Sequence, residues 1–167
     1  MAGSLEFIKS TSGTSVSSLS VTDCFSAKYD VYTVVGRGDF TNTNAFIYLR
    51  FLDSGGSEVS GATDYAYANL VMESYASFGE DRNANADHIQ RIVYSNNGND
   101  FSFEINIYNP YDSLSYSFCQ WQSGGRSSLG LVGMKSIGVL KQTATMSGIK
   151  IYNPTFTDIN VSVYGVK

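Results

Sequence analysis

The chain has 167 residues, enough for one domain that buries a substantial core. Hydrophobic residues make up 43% and charged residues only 16%, with Ser, Thr, Asn and Gly supplying the polarity, which argues against disorder and against charge-rich helices. The formal net charge is −4 and the 11 Lys and Arg are scattered along the chain, which excludes nucleic acid and anionic lipid surfaces as partners. No apolar run approaches the roughly 18 residues of a membrane span.

Residues 1–10 mix Glu6 and Lys9 into a short apolar patch, without the basic and apolar segments of a secretory signal. The protein is therefore expected to be made and folded in a cytoplasm. Strand candidates follow at residues 5–9, 17–21 and 29–35. The segment 45–52 is strand-like but apolar on both faces. Residues 63–72 read as a strand, although the Ala, Leu, Met and Glu content of 66–78 leaves a short helix open. Residues 88–94 are a further candidate. The clearest case is 101–108, where Phe101, Phe103, Ile105 and Ile107 alternate with Ser102, Glu104 and Asn106. Candidates at 114–121, 135–140, 143–152 and 159–164 complete the series. Turn signals stand at Asp53-Ser54-Gly55-Gly56, at residues 96–100, at Ser123-Gly124-Gly125 and at Ser147-Gly148. About ten short strands so spaced predict one domain over 1–167: all-β, a single antiparallel β-sandwich of jelly-roll type.

Ile105-Asn106-Ile107-Tyr108-Asn109-Pro110 is echoed by Ile149-Lys150-Ile151-Tyr152-Asn153-Pro154. Proline disfavours helix in the residue before it, so each copy reads as a strand with an extended Asn leading into a turn. The echo is read as two similar sheet corners, since the flanking residues do not match.

Motifs that carry chemistry are sparse. Cys24 and Cys119 lie far apart outside any CxxC pattern, and free thiols are expected. The single histidine, His88, has no second His to complete a zinc set, and no GxSxG elbow accompanies it. Most acidic residues stand isolated in turns. Glu73, Glu80 and Asp81 cluster loosely, and Glu104 points away from the apolar face of its strand, so a paired-carboxylate hydrolase is the minor reading. No catalytic residue, cofactor site or metal site is assigned. The Arg37-Gly38-Asp39 tripeptide and the Asn160-Val161-Ser162 sequon are read as silent.

Aromatics are the strongest signal: twelve Tyr, ten Phe and one Trp, 14% of the chain. Many fall opposite the apparent core, and Phe46, Tyr48, Tyr65, Tyr67 and Trp121 are the candidate interface or glycan-stacking residues. Three explanations stay open. A bulged, curved sandwich takes both sets of rings inside, or a protein interface covers them, or they form a platform for a sugar ring.

The opening Phe7-Ile8-Lys9-Ser10, Val16-Ser17-Ser18-Leu19-Ser20-Val21 and Tyr29-Asp30-Val31-Tyr32-Thr33-Val34-Val35 come first. They are followed by Ile47-Tyr48-Leu49-Arg50-Phe51-Leu52 before the Asp53 turn, the two Tyr-Asn-Pro copies and the closing Val163-Tyr164-Gly165-Val166-Lys167. In that order they resemble the β-sandwich virion structural proteins, of capsid-decoration or tail-appendage type, of tailed bacteriophages, particularly cyanobacterial and other marine phages. The resemblance implies a non-enzymatic subunit displayed on the virion surface after assembly in the host cytoplasm. It also implies partners among other virion capsid or tail proteins and copies of itself, with trimers common. No long shaft or coiled coil is read here, so a stand-alone decoration, cement or knob-like subunit, or a small tail component, is expected. The alternative function is a carbohydrate-binding module for a host surface glycan, with Trp121 and a Tyr stacking on the sugar.

Overall fold

A computed structural model describes residues 4–41, 44–96 and 100–167. Ten strands are assigned: β1 (Leu5–Val21), β2 (Val31–Phe40), β3 (Ala45–Asp53), β4 (Tyr65–Glu73), β5 (Gly79–Ala86), β6 (Ile89–Ser95), β7 (Phe101–Tyr108), β8 (Ser117–Arg126), β9 (Leu131–Leu140) and β10 (Met146–Val166). Among the described residues there is no helix, so 66–78 is strand and turn, and none long and apolar enough to cross a membrane. Every named pairing is antiparallel, in the order β5-β4-β9-β8-β7-β2-β10-β3-β6, with β1 alongside β10.

The 21-residue β10 organises the rest. One edge pairs with β1 from Leu5↔Val166 to Val21↔Ile149. The other pairs with β3 over Met146–Tyr152 and with β2 from Phe156 onward. The change of partner falls at Asn153 and Pro154, where proline has no N–H to donate, and opposite them β1 shifts register between Val16 and Ser18. Residues 5–9 and 17–21, expected as two strands, are thus parts of one, as are 143–152 and 159–164. The bend carries β3 and β6 back over the larger sheet, and β6 packs across β7, β8 and β9.

The core lies between. β7 alternates as its pattern predicts, with Phe101, Phe103, Ile105 and Ile107 buried. Trp121 of β8 is inside and donates its indole N–H to the Arg91 carbonyl on β6 at 3.2 Å. The Tyr65 hydroxyl donates to the Val59 carbonyl at 2.9 Å and accepts from the Phe51 N–H at 3.0 Å. Buried rings of this size need space on the facing strand, and glycine provides it. A Cβ at Gly36 would sit 2.1 Å from Phe103 Cζ, and one at Gly138 would sit 3.2 Å from the Trp121 ring.

Several local signals resolve differently. Gly124 and Gly125 lie within β8 and Ser147-Gly148 within β10, so neither pair is a turn. A Cβ at Gly148 would come within 2.1 Å of the Val21 carbonyl oxygen, so close strand approach fixes glycine there. Asp53 does make the expected turn, its Oδ1 accepting from the N–H groups of Gly55 and Ser57. Of the turn signal at 96–100, residues 97–99 lie outside the described residues. The Asn of each Asn-Pro pair is not extended: φ is +55° at Asn109 and +104° at Asn153. Asn tolerates the left-handed region, and a backbone bond from Asn109 N–H to the Asp30 carbonyl holds the first copy there. β5 escaped the sequence reading because its Glu, Asp, Arg and Asn side chains carry almost no apolar alternation. As an edge strand, it is blunted against pairing by those charges.

Substituting Gly36→Val is expected to lower stability by about 1–3 kcal/mol through overpacking against Phe103. Gly124→Ala, where an added Cβ meets nothing within 4 Å, serves as the neutral control. Thermal unfolding of the two variants checks the difference.

Candidate functional site

Of the five aromatic candidates, Tyr65, Tyr67 and Trp121 are buried in the core and cannot act as surface anchors in this fold. Ala66 and Ala68 take the outward positions of β4 that the tyrosines were expected to hold. The strand is inverted relative to that expectation because the Phe51 ring of β3, the Trp121 ring of β8 and the aliphatic Ile89 and Ile92 of β6 fill the interior around them. Phe46 and Tyr48 do point outward, as the alternation of β3 predicted.

Phe46 and Tyr48 lie on the outer face of β3, β6 and the first half of β10, which is dense with paired charge. Arg50 is the centre. Its Nη1 donates to Glu58 at 2.9 Å, its Nε to the Asp87 carbonyl at 2.9 Å, and its Nη2 to the Asp87 carboxylate. Lys150 Nζ lies 2.5 Å from Glu58, and His88 Nδ1 lies 2.6 Å from Asp87. Tyr48 stacks on His88 with centroids 4.3 Å apart, Arg50 covers the Tyr152 ring, and Arg91 covers Phe46. Lys150 and Arg50 hold the Glu58 carboxyl below its ordinary range. Each charge here has its counterpart within this chain, so the network fixes β3 to β6 and β10 through internal contacts.

The opposite outer face, formed by β4, β9, β8, β7 and β2, is different. Apart from Leu5 and Phe7 on β1, every exposed large apolar side chain among the described residues belongs to β4, β8, β9 or the loops at their ends. Ile137 (58% exposed) and Phe118 (49%) line a groove of about 820 Å³ with Ala66, Ala68, Val139, Arg82 and Gln120, and Leu70 (44%) shares a neighbouring hollow with Ile137. Beyond Phe118, Tyr116 and Leu114 of the β7–β8 loop extend the same surface.

Toward the other end the face turns polar. Cross-strand register sets Lys135, Gln122 and Glu104 side by side on β9, β8 and β7. The next row is Gly133, Gly124, Ser102 and Arg37. Two glycines and a serine leave a trough in the sheet, about 850 Å³, closed at its far side by Phe78 and Leu131. The side chains of Arg37, Glu104, Gln122 and Lys135 have no hydrogen bond or ion pair to any described residue.

Other sequence features have simpler placements. Among the described residues no group of three or more His, Cys, Asp or Glu is placed to hold a metal ion. Cys24 and Cys119 are free and buried, and burial pushes the Cys24 thiol up to about 12. Asp81 pairs with Arg91 at 3.2 Å, and Glu73 accepts from the Tyr75 hydroxyl. Glu80 and Glu104 line one shallow hollow on the outer face. Arg37-Gly38-Asp39 lies in the middle of the sheet, Gly38 facing Ile159 on one side and Phe101 on the other, so no loop tip displays it. Asn160 is likewise inside β10.

The sequence reading missed Leu70, Phe118, Ile137 and the Gly124 trough. The alternation of β9 was visible, but its inward positions mix Ser136 and Gly138 with Val132, Met134 and Leu140, while Leu131 and Ile137 face outward. Only the rings packed on them reveal which face is inside.

No family model and no curated protein matches the chain. Among solved structures it is similar to the marine PL-14 alginate lyase from Aplysia kurodai (TM-score 0.40, 7% identity, 86% of this chain and 72% of that one). It is also similar to galectin LEC-6 of Caenorhabditis elegans (TM-score 0.35, 11% identity, 98% and 95%). A third is an endo-β-1,4-glucuronan lyase from the fungus Trichoderma reesei (TM-score 0.30, 6% identity, 99% and 87%). At these scores the likenesses carry no argument about activity or ligand.

The depressed Glu58 carboxyl gives a pH prediction. A group whose folded value lies below its unfolded one, about 4.3, stabilises above that value, and the contribution is lost as pH falls through the folded value. Wild type is expected to be more stable than Glu58→Gln near neutrality, with the gap closing on acidification. Urea midpoints of both proteins across that range check it. Trp121→Ala is expected to cost about 3–5 kcal/mol of stability, measured by the same titration, as for a large core deletion.

Proposed function

We propose that this protein is a non-enzymatic structural subunit of a tailed-phage virion, a jelly-roll-type β-sandwich held on the particle surface through the apolar outer face of β4, β9 and β8. The observation that carries the reading is the segregation of exposed apolar side chains. They lie on β4, β8, β9 and the loops at their ends, with Leu70, Phe118 and Ile137 on the strands themselves and Phe78, Leu129 and Leu131 toward the trough, whereas the opposite outer face pairs its charges internally. Scattered surface hydrophobics need no explanation, but a contiguous patch on rigid strands marks an association site. The order of strand motifs that resembles phage virion proteins supplies the kind of assembly, and the occupant of the patch is a neighbouring subunit of that particle.

The mode of attachment differs from the one the aromatic pattern first suggested. Tyr65, Tyr67 and Trp121 stabilise the fold, and aliphatic side chains on β4 and β9 with Phe118 supply the contact. Burying each large side chain contributes about 1.5–3 kcal/mol before ordering costs. That range corresponds to roughly tenfold or more in affinity per residue.

The double substitution Leu70→Asp, Ile137→Lys is expected to leave thermal unfolding near wild type, since both side chains are exposed. It should abolish self-association in sedimentation and incorporation into particles assembled without the native subunit. A wild-type protein that stays monomeric and also fails to bind such particles refutes the proposal.

A further inference from the structure

We propose a second binding site at the polar end of the same sheet: the trough floored by Gly124, Gly133 and Ser102 takes a neutral saccharide. Three features of the trough point to that ligand class. Its floor is bare at Gly124, where an added Cβ meets no atom within 4 Å, and the Met72 methyl borders it at Gly133, so a flat ring can lie against the strand at Gly124. Phe78, 74% exposed, stands at its wall and offers an aromatic face to the C–H side of a sugar ring. Beyond the Gly124 row, Gln122 and Glu104 stand in register on neighbouring strands about 4.8 Å apart and line an adjoining hollow that shares Arg37, Ser102 and Gly124 with the trough. Arg37 closes the end of the Gly124 row.

An amide, a carboxylate and a guanidinium together supply the mixed donors and acceptors that adjacent hydroxyls require. These three side chains make no hydrogen bond or ion pair to a described residue, unlike Arg50, Glu58 and Lys150 on the opposite face. They sit on sheet positions whose backbone is hydrogen-bonded on both sides, so the ordering cost of binding falls on the side chains alone. Charge selects the class further. Arg37 and Arg126 line the trough with Glu73, Asp100 and Asp158, so the acidic groups outnumber the basic ones and a polyanion gains nothing. This site adjoins the docking patch, because Glu104 and Gln122 share a hollow with Leu70 and Ile137, whereas Phe118 lies outside that hollow.

The test screens the wild-type protein against an array of neutral and uronate-containing oligosaccharides, then titrates the best neutral oligosaccharide by calorimetry. The expected result is capture of neutral oligosaccharides, with binding reduced roughly tenfold or more by Gly124→Leu and by the pair Glu104→Gln, Gln122→Ala. Gly124→Leu fills the trough without touching the core, and unchanged thermal unfolding certifies that both variants fold. Phe118→Lys, whose side chain lines neither the trough nor the hollow of Glu104 and Gln122, should bind the sugar as wild type does, which separates this site from the docking patch. Failure of the wild type to capture any neutral oligosaccharide, full binding by folded Gly124→Leu, or selective capture of uronate oligomers would overturn the proposal.

Discussion

The molecule depends on one strand that is hydrogen-bonded along both edges while it changes direction. β10 holds β1 on one edge and both β3 and β2 on the other, so it belongs to both limbs of the folded sheet. Its inward Ile149, Ile151, Phe156, Ile159, Val161 and Val163 are essentially inaccessible and run the length of the core. A strand that long would stay flat if its partners ran straight through. The bend becomes possible where Pro154 removes a donor, Asn153 takes a positive φ, and β1 slips its register opposite. Once β10 bends, β3 and β6 must lie over β7, β8 and β9, and the core is enclosed.

Enclosure by such a sheet leaves a problem of volume. Rings of Trp121, Phe103 and Tyr29 are too large for an interior in which every facing position carries a side chain. Gly138, Gly36 and Gly165 relieve the crowding, each lying directly beneath one of those rings. Close packing of this kind is stabilising because the rings gain dispersion contacts with the backbone itself, and it is intolerant of an added methyl group. The hydroxyl of Tyr65 and the indole N–H of Trp121 are both satisfied by backbone partners, so these two rings cost little in lost hydration.

The two outer faces then divide the work. On β3, β6 and β10 the charges are consumed internally around Arg50, and the aromatic rings there stack on one another or on guanidinium groups. On β4, β9, β8, β7 and β2 some polar side chains pair, as Thr33 does with Asn106 and Tyr108 with Gln120, but Arg37, Glu104, Gln122 and Lys135 make no bond to a described residue and the exposed apolar side chains stay uncovered. Short loops and a paired sheet make that second face a rigid platform, apolar at the Phe118 end and mixed at the Gly124 end, where Phe78 and Leu131 flank polar groups. A platform suits recognition by complementarity, with partner and sugar each meeting a backbone already held in place.

The sequence by itself determined that the chain is all-β and antiparallel, because period-two alternation such as Phe101 to Ile107 admits no helix and its spacing admits short connections. It determined the outward direction of Phe46 and Tyr48 and the Asp53 turn, both consequences of local geometry. It did not determine which side of β4 is interior. Alternation says only that Tyr65 and Tyr67 oppose Ala66 and Ala68, and burial of either set is decided by what lies across the core. The same holds for Gly124 and Gly148. Glycine punctuates a turn when read locally, but here it allows a neighbouring strand to approach or leaves a groove open. The unpaired state of Gln122 and Glu104 is likewise a property of strands brought together from distant parts of the chain. Those contacts exist only after β10 has bent, and no local pattern encodes them.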